Sequence, residues 1–142
     1  MKVYVASKFE NQQEVRQAMK MLIDLGHTIT HDWTKEDYGN RTGVELAAYR
    51  SLCAQEDFDG VKNADALLVI NHARGCGMFV EFGMAVALGK AIFVVYPEKA
   101  NNIFACLPGV YESGDLHDAI DHLDDWGHLK DLFYGNSPVG VL

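Results

Sequence analysis

The chain is short of cations, of pairable cysteines and of long apolar runs, and each shortage closes off a class of protein. Lys and Arg number 12 against 20 Asp and Glu, giving a formal charge of −8. That is the wrong sign for a protein that grips a nucleic acid polymer through its phosphates, so no such partner is expected. A small anion remains admissible, because a few backbone N–H groups and one or two cations suffice to hold a phosphate. Cys53, Cys76 and Cys106 are odd in number, widely spaced and without a C-x-x-C pair. Neither a disulfide framework nor a structural zinc site follows from them. His27 and His31 stand four apart in a segment that reads as a strand, where that spacing separates residues by about 13 Å. No metal or other cofactor is expected. No apolar stretch approaches the ~20 residues of a membrane span, and the opening MKVYVASKF is too short in apolar character for a signal peptide. We expect a protein that is soluble and cytoplasmic, with no membrane partner.

Apolar residues make up 49% of the 142, enough for one packed core, so a single domain over 1–142 is expected, with 134–142 as a tail. Short β-branched runs alternate with amphipathic stretches. Strands are predicted at 2–6, 27–32, 65–70 and 91–96, and helices at 10–25, 44–62, from Gly77 onward, and at 115–133. Strand and helix in alternation, joined by short connections, imply an α/β fold: a doubly wound parallel sheet with helices on both faces. Ligands of such sheets sit at the carboxyl ends of the strands. Three segments are expected there: Ala6 to Phe9, Asn71 to Gly77 and Pro97 to Asn102.

Glu81 lies in the stretch GCGMFVEFGMAVALGK among Phe79, Val80, Phe82 and Met84. With the helix starting near Gly77, it falls in the first turn or so, where the macrodipole favours the ionised form. Apolar neighbours around the circumference suggest a helix buried on most sides. A buried glutamate needs a partner or a task, whereas a surface one needs only to cap the helix. A carboxylate held there is a competent nucleophile toward a sugar carbon, and glycosidic chemistry usually divides nucleophile and proton donor between two acids. Glu56, Asp57 and Asp59 are the candidates for the second, each of them ordinarily a solvated surface charge. Tyr4, inside the first strand, is either a core aromatic or the residue that orients a carboxylate. The loop Asn71-His-Ala-Arg-Gly-Cys-Gly77 lets backbone N–H groups approach an anion, but it is neither a P-loop nor G-x-G-x-x-G. Ser7 lacks the G-x-S-x-G elbow of a serine hydrolase. Cys76 beside Arg74 is more simply a small residue in a tight turn than an activated thiol.

Taken together, YVASKF at 4–9, QEDFDGVKNAD at 55–65 and GMFVEFGMAVALGK at 77–90 resemble the nucleoside 2-deoxyribosyltransferase family and its relatives that hydrolyse nucleoside 5'-monophosphates. Order and spacing match over residues 1 to 108, and the last segment is the most specific. The resemblance implies a flavodoxin-like sheet and a double displacement at the anomeric carbon. It aligns Glu81 with the family's nucleophile, Asp57 with the acid that exchanges a proton with the base, and Tyr4 with the residue that positions the nucleophile. Asn102 aligns with a side chain that reaches into the neighbouring subunit's site, so a homo-oligomer, a dimer or higher, with shared sites is expected. Leu116, Ile120, Leu123, Trp126 and Leu129 offer a stripe either for that contact or for core packing. Ser7, Lys8, Phe9, Arg74, Gly75 and Gly77 complete the expected substrate-binding set.

Two departures bear on the substrate. Gly75 stands where transferases of the family often carry an acid that contacts the base. Arg74 and Lys8, beside Gly75, Cys76 and Gly77, are placed either to grip a 5'-phosphate or to stay solvated. The leading expectation is transfer of a 2-deoxyribosyl group between nucleobases, in nucleotide salvage, with water as a slower acceptor and no cofactor. Hydrolysis of a nucleoside 5'-monophosphate is the second reading, and a non-catalytic nucleotide-binding module the third.

Overall fold

The structure is a computed structural model, and it describes residues 1–72, 74–96 and 102–134. Five strands form one sheet: β1 (Lys2–Ala6), β2 (Thr28–Ile29), β3 (Ala66–Ile70), β4 (Ala91–Val95) and β5 (Val110–Ser113). All neighbouring pairs are parallel and the order is β2-β1-β3-β4-β5. This is the flavodoxin-like order, whose switch point lies where β1 and β3 separate in direction of winding. Four helices connect the strands: α1 (Gln12–Asp24), α2 (Gly43–Asn63), α3 (Cys76–Ala87) and α4 (Leu116–Tyr134). α1 and α4 pack together on one face, α2 and α3 on the other.

The sheet centre is dry because its sequence is apolar on both faces. Every residue of β3, ALLVI, is buried, as are Val3 to Ala6 of β1. α1 presents Val15, Ala18, Met19 and Leu22 to the sheet at helical spacing, and by leaving water Val15, Met19 and Leu22 each contribute about 1.5–3 kcal/mol and the Ala18 methyl under about 1 kcal/mol. α1 and α3 end in the same way: Gly26 and Gly89 adopt positive φ, and the two N–H groups beyond each helix turn back onto its last carbonyls. That Schellman closure needs a residue without a Cβ penalty, which is why the sequence marks both ends with glycine.

Several expectations are corrected here. The second strand is only Thr28–Ile29, and after a last N–H bond from Thr30 to the Val3 carbonyl the chain turns away from the sheet. There Thr30 donates its hydroxyl to the Gly60 carbonyl at 2.8 Å. The strand at Val110–Ser113 was not foreseen, because VYES is short and only half-buried at the sheet edge. α3 is not buried on most sides within one chain: Val80 is 63% exposed, and Phe79, Val86 and Leu88 are also open to solvent. The stripe on α4 packs mainly on its own sheet, with Ile120 and Leu123 fully buried, Leu116 and Trp126 against the core, and Leu129 outside it. Residues 97–101 and the 135–142 part of the expected tail lie outside the described residues.

Candidate active site

At the carboxyl ends of β1 and β3 three elements meet in one cluster. Tyr4 rises from β1, Asp57 descends from α2 and Glu81 reaches in from α3. The Tyr4 hydroxyl oxygen lies 2.7 Å from Asp57 Oδ1 and 2.8 Å from Glu81 Oε1. The local cause is Gly60, one turn beyond Asp57 on α2. A Cβ there would stand 2.8 Å from two carbons of the Tyr4 ring, so only glycine lets the helix settle on the tyrosine. The ring then passes beneath α2 and its hydroxyl emerges between the two acids.

The protonation of this cluster follows from counting hydrogens. A phenol has one O–H and donates to one acceptor at a time, so its second short contact requires a carboxyl that carries a proton and donates to the phenol oxygen. Burial raises the Glu81 pKa from 4.5 to about 8, opposed by the Tyr4 hydrogen bond and reinforced by the charges of Asp57 and Glu36. Burial also raises that of Asp57, again against the Tyr4 hydrogen bond, with Glu36 raising it and His31 lowering it. Tyr4 itself, buried between two acids, stays protonated. Both carboxyls, bridged by one phenol, are thus pushed toward the protonated form, and they titrate as a pair. The expectation that the helix dipole keeps Glu81 ionised is corrected. α3 begins at Cys76, so Glu81 sits in the second turn, beyond the dipole's strongest reach, and desolvation wins.

The cluster forms the floor of a cleft of about 240 Å³, lined by Ser7, Lys8, Phe9, Trp33, Glu36, Tyr38, Asp57, Arg74, Gly75, Gly77 and Glu81 among others. Of the expected binding residues, Lys8, Phe9, Arg74, Gly75 and Gly77 are therefore brought to the acids. Ser7 lines the cleft too, but its hydroxyl is held: it donates to the Ile70 carbonyl at 2.9 Å and accepts from Asn11 at 3.1 Å. Asn102 lies elsewhere. It caps a short 3-10 turn by accepting from the Phe104 N–H, and lines a separate apolar groove of about 590 Å³ with Phe79, Phe82, Gly83, Val86, Ala87 and Phe104. Cys76 is an exposed free thiol at the start of α3. Of the other two acids weighed, Glu56 and Asp59, neither lines the cleft.

Of the residues after β2 only His31 was an expected candidate, weighed with His27 for a metal; Trp33, Glu36 and Tyr38 were missed. His31, Trp33, Glu36 and Tyr38 stand at the same sheet edge, since β2 is the parallel neighbour of β1. The signal is present in HDWTKEDY at 31–38, two aromatics among acids at the end of a strand. Trp33 is anchored by donating Nε1–H to the Val5 carbonyl at 2.8 Å. Phe9 packs against Trp33 and Tyr38, with ring centroids 6.2 and 5.7 Å apart, so one wall of the cleft is aromatic. A flat ring fits between such a wall and a carboxyl that can give it a proton.

His27 and His31 separate, as their spacing implies. His27 is buried against the N-terminal amine and Asp124. Among the described residues, His31, Glu36 and Asp57 form the one grouping whose ligand atoms, all within 4.8 Å of each other, approach what an ion would need.

A flavodoxin-like sheet with a proton-sharing pair of carboxyls under an aromatic wall defines a site for acid–base and nucleophilic chemistry on a small molecule. The chain belongs to the nucleoside 2-deoxyribosyltransferase family, whose model matches residues 3–125. It is accordingly an enzyme of the glycosyltransferase or N-glycosidase kind. Its fold is shared with a 2-deoxyribosyltransferase from Bacillus psychrosaccharolyticus, at 24% identity and a TM-score of 0.63, covering 83% of this chain and 89% of that one. It is also shared with a CMP N-glycosidase from Clostridium botulinum, at 17% identity and a TM-score of 0.60, covering 87% and 99%. No curated protein sequence matches.

Proposed function

We propose that the protein transfers a 2-deoxyribosyl group from a 2'-deoxynucleoside to another nucleobase, with Glu81 as nucleophile, Asp57 as acid and base, and Tyr4 between them. The observation that carries this reading is the Tyr4 hydroxyl, with its single hydrogen, whose oxygen lies 2.7 and 2.8 Å from an oxygen of each acid. With the shared proton on Asp57, the Tyr4 O–H turns to Glu81 and holds it as the carboxylate. Glu81 then attacks the anomeric carbon, the C–N pair leaves with the base, and Asp57 protonates the base as it departs. An incoming base returns a proton to Asp57 and displaces Glu81, and water does the same more slowly. The raised pKa of Glu81 makes it a better nucleophile once ionised, and the proton it would otherwise hold is the one Asp57 must deliver.

Lys8 and Arg74 favour a second reading, hydrolysis of a nucleoside 5'-monophosphate. Both line the cleft beside Gly75 and Gly77, where α3 presents unpaired N–H groups. The fold-sharing CMP N-glycosidase is in keeping with it. One experiment separates the two. The protein is incubated with a deoxynucleoside plus a free second base, and separately with the monophosphate, and the products are identified. A new deoxynucleoside in the first supports transfer; none there, with sugar phosphate in the second, overturns it.

A homo-oligomer belongs to the same proposal. α3 carries Glu81 on its inner face and the open groove of Phe79, Val86 and Phe104 on its outer one. A second copy seated there would remove that surface from water and bring Asn102 to a neighbouring site. Among the described residues no helix is long and apolar enough to cross a membrane.

A further inference from the structure

Behind Asp57 lie two polar atoms that the chemistry above does not use. His31 Nε2 and Glu36 Oε1 are closed off from solvent, and neither has a hydrogen-bond partner. They face each other at 3.6 Å, and His31 Nε2 is 3.7 Å from Asp57 Oδ1. The Glu36 side chain is only 8% exposed, and its other oxygen is held by the Tyr38 hydroxyl at 3.1 Å. His31 lies close against α2, since a Cβ at position 60 would stand 2.9 Å from its own Cβ, so the glycine that admits Tyr4 also admits His31.

A bare nitrogen lone pair sealed against carboxylate lone pairs is repulsive, and the arrangement is satisfied only if Nε2 carries the hydrogen. That hydrogen then stands between two acceptors, and a closure of well under 1 Å makes either contact a hydrogen bond. We propose that His31 is a positioning residue for Asp57, its Nε2–H resting on Glu36 while Asp57 is protonated and moving to Asp57 Oδ1 when that carboxyl gives its proton to the departing base. The proposal rests on Asp57 being the acid. In the step, the Asp57 O–H bond breaks as the N–H bond to the base forms. The C–N electron pair goes to the base and a Glu81 lone pair makes the new C–O bond. The His31 N–H bond stays intact and changes only its acceptor. The consequence is an acid strengthened at the moment it acts, since its conjugate base gains a second donor beside Tyr4.

The same three side chains would suit a divalent ion, but an ion would take the Asp57 oxygen and bar it from holding a proton. The two accounts therefore exclude each other during turnover.

Leaving-group dependence is the test. His31→Ala, His31→Gln and Asp57→Asn are compared with the wild type on an ordinary 2'-deoxynucleoside and on one whose purine is N-methylated and already cationic, so that it departs without a proton. His31→Ala should lower kcat about tenfold to a hundredfold on the ordinary substrate and by less than about twofold on the cationic one. His31→Gln, whose amide N–H can replace Nε2–H, should recover part of the loss. A misfolded fraction would depress both substrates alike, so the ratio reports on the role alone. Equal losses on the two substrates for His31→Ala, with Asp57→Asn still discriminating between them, overturn the role of His31 and leave Asp57 as the acid. No discrimination by Asp57→Asn overturns the acid assignment on which the proposal rests, and no turnover of either substrate by the wild type overturns the deoxynucleoside reading itself. Loss of wild-type activity on chelation, restored by a divalent metal, overturns the proton account in favour of an ion.

Discussion

Glu81→Gln should abolish turnover and, at alkaline pH, make the protein more stable. The folded carboxyl titrates at about 8 against an ordinary 4.5, mainly because burial strips its charge of water. Folding therefore takes up a proton between those values. The stability this protonated group contributes is complete below about pH 4.5 and is lost as the pH rises through about 8, at about 1.4 kcal/mol per pH unit. Over that window the loss amounts to about 5 kcal/mol, comparable with the whole stability of a small domain. Coupling to Asp57 spreads the change over a broader range without altering its sign. Glutamine keeps an oxygen to accept from Tyr4 and carries no charge at any pH, so the variant lacks this loss. Urea unfolding of both proteins from about pH 5 to about pH 9, with the two free energies subtracted, leaves the titration of the Glu81–Asp57 pair and cancels that of groups uncoupled to it. The variant should match the wild type near the acid end and exceed it by several kcal/mol at the alkaline end. A difference that stays flat with pH, or one that shrinks as pH rises, would refute the reasoning.

Gly60→Ala places a methyl group 2.8 Å from the Tyr4 ring and 2.9 Å from the His31 Cβ. Overpacking of this kind costs about 1–3 kcal/mol, which outweighs the gain in helix propensity, so both the melting temperature and kcat should fall; an unchanged kcat would show that the tyrosine need not sit where it does. If a second copy covers the outer face of α3, Val86→Glu should shift sedimentation toward the monomer and lower turnover with it. A wild type that sediments as a monomer at working concentration would remove that interface.

Much of the frame could be read in advance because its signals are local. Apolar runs such as ALLVI, helical spacing along α1, and glycine at each Schellman closure are properties of a few consecutive residues. The fifth strand escaped because VYES is short, half-buried and stabilised by pairing with β4 rather than by its own pattern. Tyr4 and Glu81 stood out among their own neighbours, Asp57 only through the family resemblance that picks it from three acids, and strand-to-helix topology indicated the edge where ligands bind. Glu36, Trp33 and Tyr38 did not stand out, and His31 only as a metal candidate, because their place at the site depends on β2 lying beside β1, and a two-residue strand leaves almost no trace in the sequence.

By itself, then, the sequence determined an acidic α/β chain with a parallel sheet, a glutamate in an apolar helix, and a second acid and a tyrosine in suggestive places. Tertiary structure decided the charges. Whether Glu81 is ionised depends on two opposed effects, a helix dipole that weakens beyond the first turn and a desolvation that grows with every neighbour packed around it. Only the packing of α2 and α3 over β1 sets their balance. The same packing, through one glycine too small to push Tyr4 aside, places a single hydrogen between two acids. Distances of that kind join residues 77 apart in the chain, and no pattern of consecutive residues encodes them.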